Sequence, residues 1–361
     1  MTCPSLFHFG GVMPFLIAFF VTLIMTPIVK RMAISLRVLD HPNERKIHIS
    51  PIPLMGSIAV YMGILSGLLF TGINPFVAEE FRTIFFCATF LLIVGLFDDA
   101  GFLHPQIKLL VAMPIAGLIL IFFDLGLKIF PLNLLNPFFT LLWVIGITAA
   151  YNLLDGMDGL STGVCVIASL FYLLIGTAIG DHLLLTLSLS LMGGCLGFLI
   201  FNFHPAKIFL GDSGAILLGF LLAAMGLRVA NTDSLPILTR WMLPILILAV
   251  PIFDTSLITF SRLKRGLIPF LHPGKDHSHH RILKLGLGQR KTVGVIYLFG
   301  LTGGFTALTI RSLSAWGAYA LFSVLFLFSL GLVILFERLP YERQELSSSI
   351  AFPSSAPKGN G

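Results

Sequence analysis

Eleven apolar runs divide this chain, near residues 10–29, 54–72, 83–97, 107–123, 138–154, 160–179, 183–201, 213–230, 241–260, 293–310 and 314–335. A helix that spans the hydrocarbon core of a bilayer takes about 20 apolar residues, so runs of this length and number constrain the fold more than any other feature. Charged residues make up only 11% of the chain and hydrophobic ones 56%, with a mean hydropathy of +0.96. Soluble domains carry about 25% charged residues, which excludes a soluble enzyme, a disordered protein and a secreted disulfide scaffold. The expected fold is an all-α, polytopic helical integral membrane protein with about eleven transmembrane helices. Residues 1–345 form one domain, and 346–361, rich in Ser, Pro, Ala and Gly, read as a disordered cytoplasmic tail. No Lys or Arg precedes the first span, so it reads as a retained helix and not a cleaved signal.

The basic residues orient the bundle. Of 23 Lys and Arg, eighteen fall in one alternating set of loops and the tail, and five (Arg82, Lys128, Arg228, Arg240 and Arg311) in the other. Lys and Arg are held on the cytoplasmic side, so the N-terminus is expected outside and the C-terminus inside. The net charge of +6 would suggest nucleic acid in a soluble protein. Here it follows from the loop bias, and no nucleic-acid partner is expected. Twelve of seventeen acids and eight of ten histidines lie on the inner side or at inner helix ends. Polar chemistry is therefore expected on one membrane face. Cys87, Cys165 and Cys195 lie in apolar runs, Cys3 stands alone, and with no metal-type CxxC spacing they read as small packing residues. Gly63-x-x-x-Gly67 and Gly193-x-x-x-Gly197 read as close helix-packing positions.

Five constellations stand on the inner side. Asp98-Asp99 ends the third span, followed by Pro105 and Lys108. A carboxylate at bilayer depth costs roughly 2.5–3.5 kcal/mol on insertion scales, so the pair is either a solvated helix end or a cation site with a base beside it. Asn152-Leu-Leu-Asp155-Gly-Met-Asp158-Gly159 reads as a turn between the fifth and sixth spans, with oxygen donors suited to a hard cation. In Asn202-Phe-His204-Pro-Ala-Lys207-Ile-Phe209-Leu-Gly211-Asp212-Ser213-Gly214, the eighth span begins at Asp212. A helix N-terminus offers backbone N–H groups to phosphate, and Asp212 is equally a plain N-cap. The loop 261–292 carries eight basic residues with His272, His277, His279 and His280, which reads as a phosphate- or sugar-diphosphate-binding loop, with a lipid-headgroup patch as the alternative. Zinc is disfavoured there because the histidines lack a partner at the usual ligand spacing. Asp40-His-Pro-Asn43-Glu44-Arg45-Lys46-Ile-His48, closed by Pro51 and Pro53, reads as an ordered loop. Acids for a divalent cation facing bases for phosphates on one membrane face suit phosphoryl transfer.

These motifs resemble the polyprenyl-phosphate N-acetylhexosamine-1-phosphate transferases (glycosyltransferase family 4). The likeness runs over roughly residues 10–335, on PNERKIH, Asp98-Asp99, NLLDGMDGL, PAKIFLGDSG, Pro251-Ile-Phe-Asp254-Thr255 and HSHH. It implies attack of a polyprenyl phosphate on the β-phosphate of a UDP-amino sugar, release of UMP, and a cofactor of Mg2+, with Mn2+ as its substitute. It further implies Asn152 and Asp212 as metal ligands, and Asp98, Asp99, Asp155, Asp158 and Lys108 as catalytic residues. One of Asp98 and Asp99 is the candidate base. Arg45, His48, Asn202, Lys207, Phe209, His277, His279, His280 and Arg281 are the implied substrate-binding residues, with Phe209 stacking on uracil.

The HxHH pattern resembles the GlcNAc branch, which points to a GlcNAc-1-phosphate transferase that initiates a lipid-linked envelope polysaccharide. The implied site is on the cytoplasmic face of a bacterial inner membrane, and homodimers occur in the family. Gly274 stands where that branch often has Asp, with Asp276 nearby, and Gly56-Ser57 replaces a usual double glycine. The alternatives are a phospho-MurNAc-pentapeptide transferase and, in a different class, a polytopic transporter. A transporter predicts midplane charges in broken helices of repeated halves; no repeat is seen, and the charges lie at helix ends.

Overall fold

A computed structural model describes residues 9–42, 50–70, 79–103, 105–132, 134–269, 274–339 and 341. Each apolar run carries helix. The elements are α1 (Phe9–Ser35), β1 (Leu39–Asp40), β2 (Ile52–Pro53), α2 (Gly56–Leu69), α3 (Glu79–Asp99), α4 (Lys108–Phe122, entered through Pro105–Ile107), α5 (Leu135–Leu154), α6 (Leu160–Ile179) and α7 (His182–Asn202). They continue with α8 (Asp212–Asn231), α9 (Ile237–Ile247), α10 (Ala249–Lys264), α11 (Ser278–Leu283), α12 (Gln289–Ser312) and α13 (Ala315–Glu337).

Among the described residues, eight helices are long and apolar enough to cross a membrane, and the α9–α10 pair makes a ninth if it is one span. Gly56–Leu69 and Lys108–Phe122 are apolar but shorter. The fold is thus an all-α, multi-pass membrane bundle. It departs from the sequence reading in two places. The run 241–260 is not one helix: α9 and α10 meet at 74° around Leu248. Pro251 explains the site of the break, because proline has no N–H for the carbonyl four residues back and its ring crowds that position, here Ile247. The second departure is a short antiparallel pair, Leu39 opposite Pro53 and Asp40 opposite Ile52, which closes the segment after α1.

α8 is the axis of the molecule. Its span is 94% buried, against 6% for α13. It packs on α3 and α5, and its sequence, rich in Gly, Ala and Leu, admits close neighbours on every side. A Cβ on Gly95 of α3 would lie 2.3 Å from Ser213 Cα, so only glycine lets the inner end of α3 meet the start of α8. The two small-residue motifs both serve α1. A Cβ at Gly193 would lie 2.3 Å from the Phe15 carbonyl oxygen, and one at Gly67 2.5 Å from that of Pro14. The packing reading of both motifs therefore holds.

Gly95→Ala should destabilise the protein by about 1–3 kcal/mol, the usual range for overpacking. Thermal unfolding of the purified protein in detergent measures it, with Gly146→Ala as the control, since a Cβ at Gly146 meets nothing within 4 Å.

Candidate active site

Helix ends and loops converge at one end of the bundle around a cavity of about 480 Å³. The end of α3 brings Asp98 and Asp99, the α5–α6 turn brings Asp155 and Asp158, and the α7–α8 loop with the start of α8 brings Asn202, Phe209, Gly211 and Asp212. The segment before and within α11 contributes Gly274, His277, His279 and His280, and Asp40 enters beside Leu54 from the strand pair. Six carboxylates and three imidazoles thus share one cavity.

The adjacent acids Asp98 and Asp99 do different things. The residue preceding α8 is Gly211, at φ +82, with no side chain to cap the helix. Asp99 supplies the cap from α3: its carboxylate accepts from Asp212 N (2.8 Å), Ser213 N (3.2 Å) and Ser213 Oγ (2.5 Å). An anion at a helix N-terminus is favoured by the unpaired N–H groups and by the helix dipole. A Cβ on Gly211 would fall 2.5 Å from Asp99 Oδ2, so the glycine is required for the cap as well as for its φ. Asp98 instead meets Lys108 (Nζ to Oδ2, 2.6 Å), and the same ammonium contacts Asp212. Lys108 sits at the start of a π-helical turn, Lys108–Ala112, with its side chain mostly buried. One cation is shared by two carboxylates, and the Asp212 side chain remains half exposed at 47%.

The loop acids are held by local partners. Asp155 accepts from Ser161 Oγ at 2.5 Å. Burial first, then the negative charges of Asp212, Asp99 and Asp158, push its carboxyl up to about 7 despite that bond. Asp158 is bonded to His204 Nδ1 (2.7 Å) and Ala206 N (3.1 Å). Asn202 ties the two loops, accepting from Gly159 N and Thr162 Oγ1 and donating to the Ile208 carbonyl.

The histidine segment is clamped from behind. Burial works against Asp276, yet the bidentate Arg262, helped by His277 and Arg265, holds its carboxyl at about 2. The rings of His277 and His279 stand 5.1 Å apart and those of His279 and His280 4.4 Å. Burial, with the charge of neighbouring histidines, pushes the His280 imidazole down to about 4 and that of His279 well below its usual value. Both are therefore neutral near pH 7. His279 is fully buried, and neither ring nitrogen has a hydrogen-bond partner among the described residues.

Most residues expected from the sequence are brought together, with exceptions. Lys207 is exposed and does not line the cavity. Arg281 is fully buried and turned away: its guanidinium donates to the carbonyls of Asp276 and Phe336, to Glu337 and to Ser261 Oγ. It braces the loop and does not reach the cavity. Arg45 and His48 lie outside the described residues. Asn152 neighbours the lining residue Leu153, and its Oδ1 is buried without a partner. Gly274 lines the cavity, whereas Asp276 is consumed by its two arginines, so the acid two positions on does not stand in for one at 274.

Sequence reasoning passed over Gly156 and Gln289. The only signal for Gly156 was a glycine between two acids; a Cβ there would lie 2.6 Å from His279 Nε2, so it seats the histidine segment against the acidic loop. Gln289 carried no signal, as the first residue of a helix distant in sequence.

Asp98, Asp155 and Asp212 line the cavity with oxygens of the kind hard divalent cations prefer, but among the described residues they do not close into a ligand group. Asp254, His277 and His279 have ligand atoms within 4.8 Å of one another. There, however, the Asp254 oxygens are already taken by His277 and Ser278.

The raised Asp155 carboxyl sets a pH test. A group whose folded pKa lies above its unfolded value binds extra protons when folded, so its contribution to stability falls as pH rises through that window. Asp155→Asn removes this. Thermal unfolding without divalent cations should show the variant gaining on wild type as pH rises from 5 to 8.

Residues 81–230 match glycosyl transferase family 4. The chain is 36% identical over 337 residues to a protein of Bacillus subtilis named "Probable undecaprenyl-phosphate N-acetylglucosaminyl 1-phosphate transferase", covering 88% of this chain and 89% of that one. It is 32% identical to a decaprenyl-phosphate N-acetylglucosaminephosphotransferase of Mycolicibacterium smegmatis, covering 79% and 78% of the two chains. It is 30% identical to an undecaprenyl-phosphate alpha-N-acetylglucosaminyl 1-phosphate transferase of Yersinia pestis, covering 75% and 76%. With the acidic cavity, the capped α8 and the histidine segment in place, these likenesses identify the chain as a member of glycosyl transferase family 4, in the group of polyprenyl-phosphate N-acetylglucosaminyl 1-phosphate transferases.

Proposed function

We propose that this protein transfers GlcNAc-1-phosphate from UDP-GlcNAc to a polyprenyl phosphate, releasing UMP and starting a lipid-linked envelope polysaccharide. The observation that carries the reading is the cavity that Asp98 and Asp212 share with the histidine segment, the two acids being bridged by the buried Lys108 ammonium. In the reaction an oxygen of the lipid phosphate forms a bond to the sugar-bearing phosphorus. The bond from that phosphorus to the bridging oxygen breaks, and UMP leaves with the electron pair.

Each residue then has a task. Asp212 and Asn152 are the residues that would hold Mg2+ (or Mn2+), with Asp98 and Asp155 near them. When bound, the ion offsets charge developing on the diphosphate. Asp98, the member of the acidic pair not used to cap α8, accepts a proton from the incoming lipid phosphate or orients it. Lys108 pairs with both Asp98 and Asp212 and offers its ammonium to phosphate oxygens as they arrive. Asp99 holds α8 in place. Asp155, Asp158, Asn202 and Phe209 shape the nucleotide side, and His277, His279 and His280 face the sugar diphosphate. Arg281 braces that segment.

The loop bias of Lys and Arg supports eleven spans, with α2, α4 and the bent α9–α10 pair each counted as one, the N-terminus outside and the cavity on the cytoplasmic face of the cell membrane.

The test is UMP release by purified protein with a divalent cation and undecaprenyl phosphate, comparing UDP-GlcNAc, UDP-GalNAc and UDP-MurNAc-pentapeptide. Release with UDP-GlcNAc is expected, falling by at least about a hundredfold in Asp212→Ala, the scale on which preorganised charge stabilisation acts. Release with UDP-MurNAc-pentapeptide alone would move the chain to peptidoglycan synthesis.

A further inference from the structure

Asp254 lies on α10, just past the break at Leu248, and its side chain is wholly buried. It does not line the cavity. Among the described residues its hydrogen bonds run to the histidine segment: Oδ2 meets His277 Nδ1 at 2.8 Å, and Oδ1 accepts from Ser278 N at 2.7 Å and Ser278 Oγ at 2.6 Å. A buried carboxylate with this many donors is ionised and accepts only. The proton on that edge of the imidazole is therefore carried by His277 Nδ1. His277, 7% exposed, does line the cavity. With Nδ1 turned toward Asp254, Nε2 is the ring nitrogen left for the cavity. A carboxylate behind an imidazole selects its tautomer and holds its ring orientation.

We propose that Asp254 is a positioning residue for the transfer reaction: it locks His277 as the Nδ1–H tautomer, so that Nε2 alone exchanges hydrogen bonds or a proton with the UDP-sugar diphosphate. The inference rests on the function proposed above and adds to it a residue outside the cavity. The break in the α9–α10 pair gains a purpose from it. The bend at Leu248 turns α10 so that its first turns run behind the histidine segment, where Asp254 meets His277. Without the carboxylate, the imidazole could rotate by a half turn and present either nitrogen or a carbon edge to the substrate.

Asp254 also receives Ser278 N at the start of α11, so a purely structural role must be separated from positioning. The test compares initial rates of UMP release for wild type, Asp254→Asn, His277→Ala, the double variant and Ser278→Ala. Gel filtration and thermal unfolding check that each is folded. Asp254→Asn and His277→Ala should each lower kcat by roughly tenfold or more, the range in which orienting partners act. The double variant should be no worse than the worse single one, because residues acting through one another are not additive. Ser278→Ala should stay near wild type. Additive losses, an unaffected Asp254→Asn, or a Ser278→Ala as impaired as Asp254→Asn would each overturn the proposal.

The tautomer is read independently of turnover. In protein labelled with 15N-histidine, the His277 resonances should show a single Nδ1–H tautomer that becomes a mixture in Asp254→Asn. A mixture already present in wild type overturns the positioning even if UMP is released. A locked tautomer in a protein that releases no UMP from any donor would instead overturn the function proposed for the site.

Discussion

The carboxylate of Asp99 on the N-terminus of α8 holds the site together. α8 is the most enclosed helix of the bundle, and it starts after a glycine that cannot cap it. Its first N–H groups must find an acceptor, since an unpaired buried donor costs about 1–3 kcal/mol. The acceptor comes from α3, 113 positions away in the chain. Gly95 lets the two helices close to the distance this needs. Once α3 is seated there, Asp98 meets Lys108 and through it Asp212.

Behind the cavity a second layer of charges fixes the histidine segment. Arg262 and Arg265 hold Asp276, Arg281 holds the Phe336 carbonyl and Glu337, and the Arg281 guanidinium lies 4.0 Å from the Tyr341 ring centroid. These groups are buried or half-buried, and removing one partner would leave the other charge uncompensated. The site is thus built of two tiers. Carboxylates and imidazoles face the cavity, and arginines facing the other way hold the loops that carry them.

Much of this was legible in the sequence because a bilayer leaves few choices. Apolar runs become helices, and charges gather at their ends on one side. The acidic pair, the NLLDGMDGL turn and the start of α8 at Asp212 could be placed from motif and periodicity alone. What could not be read were contacts between elements distant in the chain. Asp98 and Asp99 are adjacent letters with the same chemistry, and only the approach of α3 to α8 separates the cap of α8 from the partner of Lys108. Arg281 sits in a histidine motif and looks like a substrate ligand, yet the short helix α11 points it to the back of the loop. Asp254 was one letter of a proline motif, and its role emerges only from the bend at Leu248.

The division of labour between Asp98 and Asp99 is the central claim, and parallel measurement of thermal stability and UMP release in Asp98→Asn and Asp99→Asn tests it most directly. Asp99→Asn should lose about 1 kcal/mol of stability, the usual loss for a helix cap, and turnover with it. Asp98→Asn should keep the wild-type unfolding temperature and lose turnover alone. Wild-type stability in Asp99→Asn, or undiminished turnover in Asp98→Asn, would contradict the account.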